Sequence, residues 1–284
     1  MKISVYVPTH NRLALLVACV DSVMRQSYQD LELLVVDDGS TDGTAAFLED
    51  AARKDSRIQF LRNERPRGAP ASRNRAIQHA TGEYVTGLDD DDEFTPDRLS
   101  ALFDFWTICS KYQLKTSCIF TQDTFASDGI VTGVSTKRGT VEFPDLAYSN
   151  HIGNQIFAPK HVFCEAGLFD ESLPAWQDLE LFLRITKKFG TARLLDMPLY
   201  LRDMTPSLNR ISSKFDRVRS AYKAVSSKHF PDDRKAQQLL MLQLFSAYYG
   251  IKPTLTDLRE FSRLGMWPRG IATVIGRMAF PINK

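Results

Sequence analysis

Short apolar runs alternate with amphipathic helical segments through roughly the first 125 residues of this chain. The apolar runs are rich in β-branched residues and have the length of strands, whereas the segments between them repeat apolar residues with a helical period. The predicted strands are Ile3–Val7, Leu31–Val36, Ile58–Leu61, Tyr84–Leu88 and Cys118–Phe125, and the predicted helices are Arg12–Gln26, Asp42–Lys54, Pro70–Ala80 and Pro96–Tyr112. Repeated βα units favour an α/β fold, with a mostly parallel sheet flanked by helices and joined by right-handed crossovers.

The pattern changes after about residue 126. Asp128-Gly129 has the composition of a hairpin turn between Phe120–Phe125 and Ile130–Val134. Leu179–Phe189 again has the period of an amphipathic helix, and from about residue 213 the pattern predicts helices only. These last helices are interrupted at three prolines, Pro231, Pro253 and Pro268. We therefore predict an α/β body followed by a helical C-terminal extension.

The composition is that of a soluble globular protein, because 43% of the residues are hydrophobic and 25% are charged. The four cysteines are scattered, and no Cys/His spacing typical of a zinc site occurs. The chain leads from Met1 directly into a strand-like run, and it has no run of about 18 apolar residues. We therefore expect no signal peptide, no transmembrane helix, reduced thiols and a location in the cytoplasm.

The formal net charge of +2 conceals an asymmetry along the chain. Residues 205–284 contain 14 Lys and Arg against 5 Asp and Glu, a net charge of +9, whereas residues 1–204 carry −7. Near the end of the chain, apolar residues at helical spacing have basic neighbours: Ile271, Val274, Ile275 and Met278 with Arg269, Arg277 and Lys284. A basic amphipathic helix suits a membrane interface, which predicts peripheral contact with the inner face of the cell membrane. Docking of this helix on the rest of the chain, or on a second subunit, is the alternative.

Four consecutive aspartates, Asp89–Asp92, directly follow the predicted strand Tyr84–Leu88. Adjacent like charges repel each other, so such a run requires solvent or a cation to take up its charge. Carboxylates are hard oxygen ligands that suit Mg²⁺ and Mn²⁺, and ligand sites of open α/β sheets lie at the carboxyl ends of strands. Position and chemistry thus indicate a metal site that could hold a phosphorylated substrate, with a solvated acidic loop as the alternative.

Four further segments are expected to meet at the same edge of the sheet: Val7–Arg12, Asp37–Asp42, Gly68–Asn74 and Ala175–Arg184. The first two follow predicted strands and could face the base and ribose of a nucleotide. The third is basic, because Arg62, Arg65 and Arg67 precede it, and suits phosphates. Asp178 starts a predicted helix, where a carboxylate is either a helix cap or a general base. Helix caps at Asn11, Ser40 or Thr41 and a solvated basic loop are the ordinary alternatives for the other segments.

In this order and spacing, the segments resemble the inverting family 2 glycosyltransferases of bacterial polysaccharide synthesis, which have the GT-A fold. The resemblance covers roughly residues 1–205 and is carried by Ser22–Asp42, Gly82–Asp92, Gly167–Glu171 and Gln177-Asp178. It implies a GT-A catalytic domain at 1–205, with a nucleotide-sugar half at about 1–125 and an acceptor half at about 126–205. Residues 206–284 are the basic helical extension in this division.

The resemblance also implies which residues bind the nucleotide-sugar. Pro8, Thr9 and Asp38 line the nucleobase and ribose in this assignment, and Arg73 lies near the base or the phosphates. The complete donor-binding set that it implies is Pro8, Thr9, Asp38, Arg73, Asp89 and Asp90.

The metal and the catalytic base are assigned in the same way. Asp89 and Asp91 match the two acids of the family's DxD motif, and Asp91 is expected closest to a divalent Mn²⁺ or Mg²⁺ ion. A shift of one position in the four-acid run would make Asp90 or Asp92 a ligand instead. Asp178 matches the catalytic base, and the family often has Glu-Asp where this chain has Gln177-Asp178.

The implied reaction is the transfer of a sugar, with inversion, from a nucleotide-sugar to a hydroxyl of a saccharide acceptor. A UDP-sugar is the expected donor, a lipid-linked saccharide the expected acceptor, and no nucleic acid is expected as a partner. A nucleotidyltransferase of related fold is one alternative, but Val7–Arg12 lacks the glycines of a phosphate-binding loop. A non-catalytic module that binds a sugar-nucleotide or a glycan is the other.

Overall fold

The computed structural model of the protein describes residues 1–205 and 215–279. Within them the strands are β1 (Ile3–Thr9), β2 (Leu31–Asp37), β3 (Ile58–Arg62), β4 (Tyr84–Gly87), β5 (Glu93–Phe94), β6 (Cys118–Ser127), β7 (Ile130–Val134), β8 (Thr140–Val141), β9 (Phe157–Pro159) and β10 (Ala192–Asp203). The helices are α1 (Leu13–Met24), α2 (Thr44–Lys54), α3 (Ala69–His79), α4 (Arg98–Lys111), α5 (Asp145–Tyr148), α6 (Lys160–Glu165), α7 (Gln177–Phe189), α8 (Phe215–His229), α9 (Arg234–Leu244), α10 (Leu255–Leu264) and α11 (Pro268–Ala279). The strands and helices predicted from the pattern are present, with small differences at their ends.

The strands of the described residues form one sheet in the order β3-β2-β1-β4-β9-β6-β10-β5, with β7 beside β6 and β8 beside β10. The first four strands in this order, β3, β2, β1 and β4, are parallel to one another. Strand β9 then runs antiparallel to both β4 and β6, whereas β6 and β10 are parallel. The predicted α/β class is confirmed; the sheet is parallel in its first half and mixed in its second.

Side chains of the central strands alternate between two hydrophobic cores, one on each face of the sheet. Tyr6 and Leu34 belong to one core, whereas Val5 and Leu33 belong to the other. All seven residues of β1 and of β2 are buried, which explains the continuous apolar runs in the sequence.

The second half of the sheet brings the end of β10 close to the acidic run. The predicted hairpin turn is confirmed: Asp128 and Gly129 have φ values of 52° and 76°, and β6 and β7 are antiparallel. The short strand β5, which begins directly after Asp92, pairs with β10 through Tyr200 and Leu201. The acidic run is therefore held between the end of β4 and the end of β10.

The C-terminal helices pack on the α/β body. Val218, Leu240 and Val274 lie in the same hydrophobic core as Leu179 and Phe182 of α7. The predicted apolar stripe of α11 faces mostly inward, because Val274 is buried and Ile271 and Met278 pack against this core, whereas Ile275 is 49% exposed. Lys284 lies outside the described residues, and within those residues the helices lack the combined length and hydropathy needed to cross a membrane. The division into two domains remains a prediction.

Candidate active site

The loops after β1 and β2 cap each other. Asn11 donates its backbone amide to Ser40 Oγ at 2.9 Å, and its side-chain Oδ1 accepts the amide of Thr41 at 2.8 Å. Asp42 accepts the amide of Leu13, in the first turn of α1, at 3.0 Å. Because backbone amides of each loop donate to side chains of the other, the two loops are joined at the carboxyl ends of the strands.

Asp38 is buried at this edge and ties the loop after β3 to it. Its carboxylate accepts hydrogen bonds from Asn63 Nδ2 at 2.6 Å, from the amide of Arg67 at 2.9 Å and from the amide of Gly68 at 2.7 Å. Burial alone would raise the pKa of Asp38, but these hydrogen bonds outweigh it and lower the pKa. Asp38 is therefore ionised, and it fixes the loop that leads into α3.

Asp89 lies directly after Leu88 at the end of β4 and is held by three side chains. Its Oδ1 accepts hydrogen bonds from Arg73 Nη2 and Gln155 Nε2, and its Oδ2 accepts one from Asn154 Nδ2, each at 2.9 Å. The side chain of Asp89 is 24% exposed. A carboxylate offers about four lone-pair directions, so this network orients Asp89 and leaves capacity for one further partner.

Asp90 and Asp91 share the guanidinium of Arg12. Its Nη1 lies 3.0 Å from Asp90 Oδ1 and 2.9 Å from Asp91 Oδ2. Thr9, which is buried, donates its hydroxyl to Asp90 Oδ2 at 2.8 Å. Burial, together with the charges of Asp91 and Asp89, raises the pKa of Asp90 to about 6, although Arg12 and Thr9 lower it. Asp90 thus points inward with an 8% exposed side chain, whereas Asp91 is 27% exposed.

Asp92 is buried and faces β10. It accepts the hydroxyl of Tyr200 at 2.8 Å and the amide of Asp203 at 3.0 Å. The Tyr200 hydroxyl in turn accepts the amide of Asp89 at 3.2 Å. These hydrogen bonds anchor the acidic loop to β10, and burial raises the pKa of Asp92 well above its usual range.

Arg73 connects the acidic run to the predicted base. Its Nη2 contacts Asp89 and its Nη1 lies 3.2 Å from Asp178 Oδ1, so one buried guanidinium bridges the two carboxylates. Arg73 also lies over the ring of Phe169, 5.2 Å from its centroid. Burial and the charge of Asp89 raise the pKa of Asp178 to about 6, although Arg73 lowers it. A carboxylate with this pKa is ionised at neutral pH and is a stronger base than an exposed aspartate.

Asp178 follows a residue with an unusual backbone. Trp176 has φ 60° and ψ 22°, a left-handed conformation that is rare for a bulky residue. Its indole Nε1 donates to Tyr249 Oη at 2.8 Å, and its ring packs edge-on against Tyr222. Gln177, which stands where the family often has Glu, donates to the carbonyl of Leu173 at 3.0 Å. The C-terminal helical extension therefore contributes to the position of Asp178.

A second polar network lies beyond Asn154, in the second half of the sheet. Lys137 Nζ donates to Asp123 Oδ1 at 2.8 Å and to the carbonyl of Ile152 at 3.1 Å. Arg202, for which charge and position suggest contact with donor or acceptor phosphates, lies 3.5 Å from the same Asp123. Arg210, for which the same charge argument applies, lies outside the described residues. These contacts hold the loop that carries Asn154.

The side chains fit a divalent cation of the Mg²⁺ or Mn²⁺ type. Within the described residues, no three His, Cys, Asp or Glu side chains gather as a metal cage. Mg²⁺ does not require one, since it is commonly held by one or two carboxylates together with substrate phosphates and water. Asp91 and Asp89, each about a quarter exposed, are carboxylates of this kind. This is compatible with the predicted assignment of both residues.

The structure brings the predicted residues Thr9, Asp38, Arg73, the four acids and Asp178 to one edge of the sheet, with Pro8 buried in β1. It adds Asn154, Gln155, Tyr200 and Tyr249, which the sequence did not single out. These residues lie outside the recognisable motifs, and no local pattern marks them. Arg12 belongs to the predicted segment Val7–Arg12, and the structure adds its pairing with Asp90 and Asp91.

Comparisons with known proteins concern the family and the fold of this chain. A profile of Glycosyl transferase family 2 matches residues 4–111. WcaA of Escherichia coli (strain K12), named for colanic acid biosynthesis, is 39% identical over 195 residues, which cover 66% of this chain and 67% of WcaA. The chain belongs to glycosyltransferase family 2. This family 2 glycosyltransferase is also 35% identical over 196 residues to TuaG of Bacillus subtilis (strain 168), named for teichuronic acid biosynthesis, across 67% of this chain and 74% of TuaG.

Solved structures show the fold of this family 2 glycosyltransferase. S. aureus TarS 1–349 in complex with UDP-GlcNAc superimposes with a TM-score of 0.66 at 18% identity, over 96% of this chain and 84% of that chain. The mannosyltransferase PcManGT from Pyrobaculum calidifontis, in complex with GDP-Man and Mn²⁺, gives 0.60 at 18% identity, over 98% and 79%. The family, the GT-A fold and the glycosyltransferase class predicted from the sequence are confirmed.

Proposed function

We propose that this glycosyltransferase transfers a sugar from a UDP-sugar, with inversion and with Mn²⁺ or Mg²⁺, to a hydroxyl of a lipid-linked saccharide acceptor. The observation that carries the proposal is the bridge between the acidic run and Asp178 through Arg73. It keeps a basic carboxylate close to the acids expected to face the nucleotide diphosphate. An inverting displacement requires a base on the side opposite to the leaving group.

In the proposed reaction, Asp178 removes the proton from the acceptor hydroxyl as that oxygen forms a bond to the anomeric carbon. The bond between this carbon and UDP breaks, and its electron pair leaves with UDP. Asp91 and Asp89 would hold the metal, which supplies positive charge to the leaving diphosphate when bound. Arg73 orients both Asp89 and Asp178, while Pro8, Thr9 and Asp38 line the base and ribose.

The names of relatives support the choice of substrates. TarS was solved with UDP-GlcNAc. WcaA and TuaG are named for colanic acid and teichuronic acid biosynthesis. A Campylobacter jejuni relative, 40% identical over 102 residues, covering 36% of this chain and 33% of that protein, is named as a beta-1,3-glucosyltransferase acting on GalNAc(5)-diNAcBac-PP-undecaprenol. These names favour cell-surface polysaccharide synthesis and a lipid-linked acceptor for this chain.

The surface of the last helices supports peripheral contact with an anionic membrane. Between Lys252 and Ala279, the exposed charged side chains are Lys252, Arg259, Arg263 and Arg269. The two acids of this stretch, Asp257 and Glu260, both pair with Arg219. Apolar side chains are exposed on the same stretch: Leu255, Met266 and Ile275. Basic and apolar side chains together suit an anionic lipid interface, so the protein should sediment with phosphatidylglycerol vesicles and not with phosphatidylcholine vesicles.

Release of UDP tests the donor and the metal. The purified protein is incubated with UDP-, GDP- and dTDP-sugars in Mn²⁺, in Mg²⁺ or in EDTA. We expect metal-dependent release of UDP from one sugar, and a fall of about 10²-fold or more in Asp91→Ala, because the charge that stabilises the leaving group is lost.

Asp50→Ala is the matched control, since Asp50 is a half-exposed acid on α2. Equal loss in both variants would indicate a general effect of removing acidic charge. Full metal-dependent activity in Asp91→Ala would exclude Asp91 as a ligand. If calorimetry also detects no nucleotide binding by the wild type in the presence of metal, the proposed donor is wrong.

A further inference from the structure

A turn of the C-terminal helical extension reaches the proposed catalytic base. The turn Phe245–Gly250 follows α9, and the hydroxyl of Tyr249 accepts the indole N–H of Trp176 at 2.8 Å. Trp176 stands two residues before Asp178, so the turn touches the segment that presents the base. The pKa of Tyr249 is raised, first by burial and then by the charges of neighbours that include Asp178.

The next ring along this turn is open to solvent. Tyr248 is 52% exposed, and its ring meets that of Tyr249 edge-on, with centroids 4.9 Å apart. Burial lowers the pKa of Arg202, whereas Asp92, Asp123 and the hydroxyls of Tyr200 and Tyr248 raise it above its ordinary value. The charge of Arg202 also lowers the pKa of Asp178. The exposed ring of Tyr248 therefore lies beside Tyr249, whose hydroxyl contacts Trp176, two residues before the proposed base.

We propose that Tyr248 is a platform on which a sugar ring of the acceptor stacks while its hydroxyl reaches Asp178. This rests on the proposed function, because it assumes that Asp178 receives the proton of the acceptor. The Asp178 side chain is bounded on the donor side by Arg73 and Asp89, so the acceptor approaches from the side of Trp176 and the turn.

The chemistry of a tyrosine suits this role. One face of a pyranose ring is lined by C–H groups and packs on an aromatic ring. Tyrosine offers a large rigid surface at low entropic cost. Tyr249, against which the Tyr248 ring packs, is hydrogen-bonded to Trp176, and these contacts position the platform. The proposed ligand is accordingly a saccharide, and the C-terminal extension is part of the acceptor site.

The test measures binding of a panel of 4-nitrophenyl glycosides, as acceptor probes, to the full chain with UDP and Mg²⁺ by saturation-transfer NMR. We expect Tyr248→Ala to weaken the Kd of the bound glycoside by about fivefold, equivalent to about 1 kcal/mol, whereas Tyr248→Phe retains the ring and binds as the wild type does. Tyr112→Ala, which removes an exposed tyrosine after α4, is the matched control.

Two results would overturn the platform. One is an unchanged Kd for the glycoside in Tyr248→Ala, and the other is that the wild type binds none of the glycosides. UDP binding, measured by calorimetry in the same samples, should be equal in all variants. Absence of UDP binding by the wild type would count against the proposed function itself. If the glycoside Kd still depended on Tyr248 in that case, the platform would stand although the proposed function had failed.

Discussion

The proposed donor side of the site consists of loops that directly follow β1, β2 and β4, whereas the proposed acceptor side combines segments as distant in sequence as Asp178 and Tyr249. On the donor side, the loops satisfy one another's polar groups through contacts such as Asn11 with Ser40 and Thr9 with Asp90. On the acceptor side, Trp176 depends on a hydroxyl from the C-terminal extension. The difference indicates that neighbouring loops hold the proposed donor side, whereas the proposed acceptor side depends on packing between distant parts of the chain.

The largest expected effect concerns the proposed base. Asp178→Asn keeps the shape of the side chain but cannot accept a proton, so kcat for transfer should fall by about 10²–10⁴-fold. Binding of UDP-sugar, measured by calorimetry, should change little, because the donor side is built from other loops.

Asp104→Asn, at an exposed position on α4, is the control for this substitution. If Asp178→Asn weakened donor binding as strongly as it slowed transfer, Asp178 would contribute to donor binding, and the two sides of the site would not be independent.

Arg73 joins the two sides, and its removal should affect both. Wild-type transfer should decline as pH falls through about 6, because the pKa of Asp178 is about 6 and only its deprotonated form accepts the proton. Arg73 lowers this pKa, so Arg73→Met should move the acidic limb of the kcat profile to higher pH and should also reduce kcat.

Arg73→Lys retains a positive charge and should displace the limb less than Arg73→Met does. Arg53→Met, on the exposed face of α2, should leave the profile unchanged. A limb that does not move in Arg73→Met would show that the titrating group is not Asp178.

A smaller effect is expected from Asn154, which supports the donor side from the second half of the sheet. Asn154→Ala removes the hydrogen bond to Asp89 Oδ2, and hydrogen bonds to charged groups contribute roughly 1.5–3 kcal/mol. We expect metal-dependent UDP release to fall by about 10-fold. Asn150→Ala, a change in the same loop, distinguishes loss of this contact from general loosening of the loop; equal losses would favour loosening.

The smallest effect is expected from Tyr249→Phe, which deletes the acceptor for the Trp176 indole and keeps the ring. A neutral hydrogen bond contributes about 1 kcal/mol, so kcat for transfer should fall by about fivefold. The free energy of unfolding should fall by about 1 kcal/mol. Donor hydrolysis without acceptor should be unaffected. A drop in donor hydrolysis equal to the drop in transfer would contradict an acceptor-side role for this contact.

The order of strands and helices, the hairpin at Asp128-Gly129 and the edge that carries the acids could be predicted from the sequence. These features depend on local patterns: apolar runs for buried strands, helical period for the helices, and glycine at a turn that needs positive φ. The family motifs similarly located Asp38, Asp89–Asp92 and Asp178. Their assigned roles remain predictions.

The tertiary structure determined which of the acids Asp89–Asp92 are buried and which are partly exposed. Four aspartates that are equivalent in sequence differ because Asp90 and Asp92 turn inward to Thr9 and Tyr200, whereas Asp89 and Asp91 stay about a quarter exposed. It also decided that α11 packs its predicted stripe inward. Both outcomes depend on partners that are distant along the chain.

The sequence by itself thus determined the α/β class, the family and the segments that form the site. Only the tertiary structure joined Arg73 to both Asp89 and Asp178, and Trp176 to Tyr249. The physical reason is that strand and helix patterns arise from neighbouring residues, whereas pKa values and side-chain positions depend on burial and on charges brought together by folding.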